Sequence, residues 1–142
     1  MQRSSIILLG LIAAVALAGC AKGAKSTVAP ANGGSVAAQG SKIFLVSCAS
    51  CHQTNGEGVP GTFPPLAGNA VVAGDPVKVI HIVKYGLTGR VVVAGKTFNG
   101  MMPAWSSQLS DADIAAAITY VRSSWGNHAS PVTADQVSAV SQ

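Results

Sequence analysis

Aromatic side chains are scarce in this sequence, whose 142 residues include three Phe, two Tyr and two Trp. So few large side chains supply little apolar surface for the core of one small domain. The nine Lys and Arg residues form no cluster, so the net charge of +4 does not indicate nucleic-acid binding. No internal repeat is present, which excludes a repeat architecture.

Long apolar runs are absent as well, since a membrane-spanning helix needs about 20 apolar residues. The apolar stretch from Ile6 to Ala16 is shorter than that, and a single cation, Arg3, precedes it. A charged start followed by a short apolar stretch is typical of an export signal. We therefore interpret residues 1–19 as a signal peptide.

Cysteine is limited to three residues, and Cys20 stands apart from the other two. It ends the quartet Leu-Ala-Gly-Cys, which resembles a bacterial lipobox, in which the cysteine is lipidated and becomes the new N-terminus. This interpretation predicts a protein anchored by lipid to the periplasmic face of a bacterial membrane. The alternative is an ordinary secretory signal, cleaved near residues 16–18, and a soluble periplasmic protein. Residues 20–39, rich in Ala, Gly and Ser, are interpreted as the lipidated N-terminus and a flexible tether.

The run Cys48-Ala49-Ser50-Cys51-His52 is the C-x-x-C-H attachment signature of a c-type haem. Two thiols at this spacing can each add across a vinyl group of one porphyrin, which holds His52 beneath the iron as an axial ligand. A thioredoxin-like redox pair would need a βαβ context, and a zinc site would need further Cys or His ligands. The sequence indicates neither, and it predicts one covalent haem c, whose flat apolar surface compensates for the few aromatic residues.

A loop composition follows the motif, because residues 55–68 contain four glycines and three prolines. This loop is expected to wrap the His52 side of the haem. We expect one of its backbone carbonyls, that of Pro64, to accept a hydrogen bond from Nδ1 of His52. Such a bond fixes the tautomer and raises the basicity of the ligating nitrogen.

Helix and strand signals occur on both sides of this loop. Residues 41–48 are predicted to form a short helix, and a second helix begins at Asp75-Pro76 with an apolar stripe of Val77, Ile80, Val83 and Leu87. Residues 91–98 are predicted to form a β-hairpin. The last clear helix is capped by Ser110, with Asp113 at the capping-box position. Its apolar face is formed by Ile114, Ile118, Val121 and Trp125, and a polar tail with one short turn after Thr133 is expected to follow.

From Gly40 to Asn127 the chain resembles the class I (mitochondrial-type) bacterial cytochromes c. The resemblance is carried by the C-x-x-C-H run, Phe63-Pro64-Pro65-Leu66-Ala67-Gly68, Met102-Pro103-Ala104-Trp105, Leu109-Ser110-Asp111 and Tyr120-Val121-Arg122-Ser123-Ser124-Trp125-Gly126. It implies an all-α fold of about three to five helices around one haem, with a possible short β-hairpin insert. The resemblance also implies that the first and last helices cross where Gly40 and Phe44 meet Tyr120. The haem domain then covers residues 40–127, and residues 128–142 form a C-terminal tail.

The resemblance also bears on the second iron ligand, since the family places a methionine directly before the proline. That pattern selects Met102, whose conformation Pro103 biases toward extended backbone. Met101 is then a packing residue. His81 and His128 are alternatives as ligands of a bis-His haem, although a surface position is the commoner case for histidine.

The function expected from His/Met ligation is one-electron transfer between a respiratory donor and acceptor. Two alternatives stay open: a haem-bearing subunit of a dehydrogenase, nitrite reductase or oxidase complex, and a peroxidase or gas-binding protein. The segment from Arg90 to Phe98 resembles an insert in haem domains attached to such reductases, dehydrogenases and oxidases. Four cations either steer an acidic redox partner or are ordinary solvated charges: Lys42, Lys84, Arg90 and Lys96.

Overall fold

A computed structural model describes residues 33–142. Helix α1 spans Gly33–Ile43, continues through a π-helical turn, Phe44–Cys48, and ends as α2, Ala49–His52. The remaining elements are α3 (Ala70–Ala73), α4 (Pro76–Tyr85), β1 (Val91–Val93), β2 (Lys96–Phe98), α5 (Asp111–Arg122) and α6 (Ala134–Ala139). This mostly helical arrangement with one small antiparallel sheet confirms the predicted fold class. The proposed signal peptide, Cys20 and the tether up to residue 32 lie outside the described residues.

Helix α1 begins before the predicted boundary at Gly40 and reaches into the segment interpreted as a tether. Residues 36–39 are Val, Ala, Ala and Gln, and Ala and Gln are strong helix formers that extend a helix already packed further along. Its C-terminal half crosses α5. Phe44 is fully buried at this crossing, with its ring centroid 5.6 Å from that of Tyr120 and 4.9 Å from that of Trp125.

Helix α4 has the N-terminal signals that the sequence predicts. The Asp75 side chain accepts a hydrogen bond from the Val77 amide at 2.9 Å, and Pro76 occupies the first helical position. The predicted apolar stripe is wrong at its first position, and its last residue lies beyond the end of α4. Val77 is 54% exposed, whereas Val79 and Ile80 are buried. In the first turn of the helix, Val79 therefore faces the core in place of Val77.

The predicted hairpin is confirmed, with Val91 paired to Phe98 and Val93 to Lys96. Its two-residue turn, Ala94-Gly95, has φ angles of 48° and 75°, the left-handed conformation of the tight turns that match the strand twist. Val93 and Phe98 are buried against the protein, and Val92 on the other face is 53% exposed.

Helix α5 is capped by Ser110, whose hydroxyl oxygen accepts from the Asp113 amide at 3.1 Å. The helix ends at Arg122, three residues before the predicted end at Trp125. Trp125 has a φ of 50° and lies over Phe44, so tertiary packing rather than helical periodicity sets its position.

The C-terminal tail contributes to the core, which the sequence interpretation missed. Thr133 caps α6 in a reciprocal arrangement with Gln136, and the buried side chains of Val132, Val137 and Val140 join α4 and α5 in one hydrophobic cluster. Within residues 33–142 no helix is long and apolar enough to cross a membrane.

Candidate haem site

A cavity of about 400 Å³ opens between α2, α4, α5, the hairpin and the segment around Met102. Its wall is almost entirely apolar and is formed by residues spread along the chain from Phe44 to Val121. Cys48, Cys51, His52 and Met102, which are far apart in sequence, all line this one cavity. The volume lies within the ordinary range of cofactor sites, about 300–1,000 Å³.

The π-helical turn and α2 place the two thiols. In the π turn Leu45 is 50% and Val46 87% exposed, while Phe44 and Cys48 line the cavity. Cys48 and Cys51 are half-buried free thiols. Burial, with a smaller contribution from Cys51, raises the pKa of the Cys48 thiol to about 11, so this thiol is protonated at neutral pH.

His52 is buried at the cavity wall, and its Nδ1 lies 3.0 Å from the carbonyl oxygen of Pro64. A hydrogen bond donated by Nδ1 leaves Nε2 as the acceptor, which is the nitrogen that can bind a metal. Burial lowers the pKa of His52, and the hydrogen bond to Pro64 opposes this effect in smaller measure. The imidazole is therefore neutral near pH 7, the form that ligates iron.

Backbone bonds hold the loop that carries Pro64. The Gly58 amide donates to the His52 carbonyl at 3.0 Å, and the Leu66 amide donates to the Gly56 carbonyl at 2.7 Å. Two buried asparagines that the sequence analysis did not identify complete the support. Asn69 donates to the Pro65 carbonyl at 2.7 Å, and Asn127 donates to the Leu66 carbonyl at 2.9 Å. The one signal for Asn69 in the sequence is its position as the N-cap of α3.

Met102 is held by a two-residue antiparallel pairing with Leu87, just after α4. The Leu87 amide donates to the Met102 carbonyl at 3.0 Å, and the Met102 amide donates to the Leu87 carbonyl at 2.9 Å. Gly86 makes this approach possible, because a Cβ there would lie 2.6 Å from the Met102 carbonyl oxygen. Met102 is half-buried, whereas Met101 is 68% exposed at the rim of the same cavity.

The other candidate residues lie elsewhere. His81 and His128 are exposed and do not line the cavity, and the His81 ring packs against Tyr85 at 5.0 Å. Of the four candidate steering cations, Lys42, Arg90 and Lys96 are exposed. Lys84 is 8% exposed and donates to backbone carbonyls of the C-terminal segment, so its assignment as a partner-facing charge is wrong.

These residues fit a covalent haem. The cavity is apolar, two half-buried thiols lie at C-x-x-C spacing, and the imidazole beside them presents one nitrogen. Within residues 33–142 no three His, Cys, Asp or Glu side chains come together as a site for a metal ion, as a zinc site would require.

Comparison with known proteins points to the same cofactor, because the cytochrome c family model matches residues 37–125. This chain belongs to the cytochrome c family. Members of the family hold haem c covalently, and Cys48 and Cys51 occupy the attachment positions. The c-type cytochrome assignment and the cofactor prediction are therefore confirmed.

Individual relatives fall into two groups. The chain is 40% identical over 109 residues to cytochrome c-552 of Thermus thermophilus, covering 70% of this chain and 82% of that protein. It is 36% identical over 105 residues to the cytochrome c subunit of a quinone alcohol dehydrogenase from Gluconobacter oxydans, covering 72% of this chain and 22% of that subunit. It is 37% identical over 106 residues to the cytochrome c subunit of gluconate 2-dehydrogenase from Pantoea cypripedii, covering 71% of this chain and 23% of that subunit.

Proposed function

We propose that this cytochrome c carries single electrons through one haem c whose iron is ligated by His52 and Met102, and that it is not itself an enzyme. The observation that supports this most directly is the mutual pairing of Met102 with Leu87, which fixes a thioether-bearing residue at the wall of the cavity that also contains His52. When bound, the haem c supplies an iron that accepts and releases one electron.

The side chains around the cavity suit this role. His52 and Met102 are both neutral ligands, and the soft thioether favours ferrous iron, which raises the reduction potential relative to bis-His ligation. His52 and Met102 would both hold the iron, so no position would be left there for a substrate. The Pro64 carbonyl accepts from Nδ1 of His52 and so fixes the orientation and the tautomer of the imidazole ring.

Carbon monoxide binding tests this proposal. The ferrous holoprotein is expected to keep its spectrum under carbon monoxide, because Met102 occupies the position that the gas would need. A native protein that binds the gas readily would favour the peroxidase or gas-binding alternative. Of the His and Arg residues within 33–142, His52 alone lines the cavity, so no distal acid–base pair supports that alternative.

The expected location is the periplasmic face of a bacterial membrane, with the chain anchored through a lipid on Cys20. The support is the lipobox-like quartet ending at Cys20 and the preceding apolar stretch. A tether would let the haem domain meet a respiratory donor and acceptor in turn at high effective concentration. A soluble periplasmic carrier is the alternative.

A second function is a fixed haem-bearing subunit of a dehydrogenase, nitrite reductase or oxidase complex. The names of the relatives from Gluconobacter oxydans and Pantoea cypripedii favour it, as does the hairpin at residues 91–98. Purification from native membranes separates the two functions. A subunit is expected to copurify with its enzyme in fixed proportion, whereas a carrier separates from its partners.

A further inference from the structure

The C-terminal end of α4 forms backbone hydrogen bonds with the segment that carries Met102. The Val83 carbonyl accepts from the Trp105 amide at 3.0 Å, and the Lys84 carbonyl accepts from the Ser106 amide at 3.2 Å. Together with the Leu87–Met102 pairing, these bonds run along the whole segment from Met102 to residue 106. The position of Met102 therefore depends on how firmly the end of α4 is held.

Two side chains of the same turn form hydrogen bonds with the C-terminal segment. Lys84 Nζ donates to the carbonyls of Val137 and Val140 at 2.8 Å and 2.7 Å, and the Tyr85 hydroxyl donates to the Val140 carbonyl at 2.9 Å. The Lys84 ammonium also lies 5.5 Å from the centroid of the Tyr85 ring. A buried ammonium is costly without hydrogen-bond partners, so Lys84 holds the end of α4 against these two carbonyls.

The carbonyls that accept from Lys84 belong to a well-packed part of the chain. Val137 is fully buried, and Val132 is held by Thr119, whose Oγ1 lies 2.9 Å from the Val132 amide. All of α6 lies beyond residues 37–125, the range that matches the family. The contact therefore joins a residue inside the matched range to a segment outside it.

We propose that Lys84 is a positioning residue for Met102: it ties the end of α4 to α6 and thereby keeps the Leu87–Met102 pairing closed. This inference rests on the proposed ligation by Met102. Replacing Lys84 by an apolar residue removes both hydrogen bonds from the ammonium, which leaves the Val137 carbonyl bonded only to the Val140 amide and the Val140 carbonyl only to the Tyr85 hydroxyl. The end of α4 then opens more often, and Met102 leaves its position with it.

Displacement of Met102 by imidazole in the ferric holoprotein measures this coupling. The readout is the rate at which the charge-transfer band of Met-ligated haem disappears. Lys84→Leu is expected to accelerate displacement about tenfold or more, since hydrogen bonds from a charged donor are about twice as strong as neutral ones. Lys84→Arg keeps the positive charge and hydrogen-bond donors, so imidazole should displace Met102 more slowly in this variant than in Lys84→Leu. Tyr85→Phe should show a smaller increase, about threefold.

The matched control is Lys78→Leu, which removes an exposed lysine from the same helix and is expected to leave the rate unchanged. Amide hydrogen exchange distinguishes positioning from general destabilisation. In Lys84→Leu the amides of Leu87, Met102 and Trp105 should exchange faster, while those in the α1–α5 crossing keep the wild-type rate. Equal acceleration at all of these amides would overturn the proposal.

The two proposals fail in different ways. If wild-type protein lacks the charge-transfer band, ligation by Met102 is wrong. If the band is present but Lys84→Leu has wild-type displacement and exchange rates, the positioning role is wrong and the proposed function stands.

Discussion

Gly40 in α1 lies directly against the backbone of Ala116 in α5. A Cβ at Gly40 would overlap the Ala116 carbonyl oxygen and lie 2.8 Å from the Cβ of Tyr120. The two helices therefore cross with their backbones in contact. Because α1 runs on into the C-x-x-C-H segment, and α5 lines the cavity with Ile118 and neighbouring residues, this crossing sets one wall of the haem site relative to another.

Gly40→Ala is expected to lower the free energy of unfolding by about 1–3 kcal/mol, because the added methyl group forces the helices apart. The sign is informative, since Gly→Ala inside a helix ordinarily stabilises it by about 1 kcal/mol. Urea unfolding of the holoprotein measures the effect. Lys42→Ala, at an exposed position of the same helix, is the control and should change little. A stabilised Gly40→Ala protein would contradict this crossing.

Acid stability should depend on Asp113 at the start of α5. Hydrogen bonds from Ser110, the larger cause, and from Gln39 lower the pKa of this carboxyl group. A lowered folded-state pKa contributes stability that is present above the unfolded pKa, about 3.9, and is lost as pH falls through the folded value. Ser110→Ala should raise the Asp113 pKa, measured by NMR titration, and Gln39→Ala should raise it less. The reverse order would show that Ser110 is not the main partner.

Local sequence signals were sufficient for much of the fold and the candidate site. The cap at Asp75, the turn at Ala94-Gly95 and the cap at Ser110 act within a few residues, so pattern and propensity predict them. The C-x-x-C-H run is equally local, and the structure brings its side chains to one cavity with Met102.

Long-range packing determined what the sequence did not predict. Trp125 leaves the helical pattern because it packs over Phe44, and neither residue indicates the other in sequence. The tail at residues 128–142 has a polar composition, yet Val137 and its apolar neighbours are part of the core. Helix α6 has only six residues, which is too short for an apolar periodicity to be recognised in the sequence. The sequence around Lys84 is typical of a surface lysine, because the α6 carbonyl to which it donates lies far away in the sequence.

Covalent attachment through Cys48 and Cys51 predicts that haem stays with the polypeptide when the protein is denatured, because thioether bonds survive unfolding. Acidified organic solvent should extract none of it. The double variant Cys48→Ala/Cys51→Ala should release any haem that it binds. Extraction of haem from the wild-type protein would exclude attachment through both cysteines.

Lipidation at Cys20 predicts that Cys20→Ser releases the haem protein from membranes and leaves its visible spectrum unchanged, since the residues that line the cavity begin at Phe44. Membrane fractionation and mass spectrometry of the mature N-terminus measure this. An unmodified N-terminus near residue 20 in the wild-type protein would instead indicate simple secretion.

The most direct test of the whole account compares Met102→Ala with Met101→Ala in the ferric holoprotein. Met102→Ala is expected to abolish the charge-transfer band of Met-ligated haem, lower the reduction potential and let carbon monoxide bind the ferrous form. Met101→Ala, at a position 68% exposed, should keep the band. If the band is lost in Met101→Ala and kept in Met102→Ala, the ligand is Met101, and the assignment based on the Leu87–Met102 pairing is wrong.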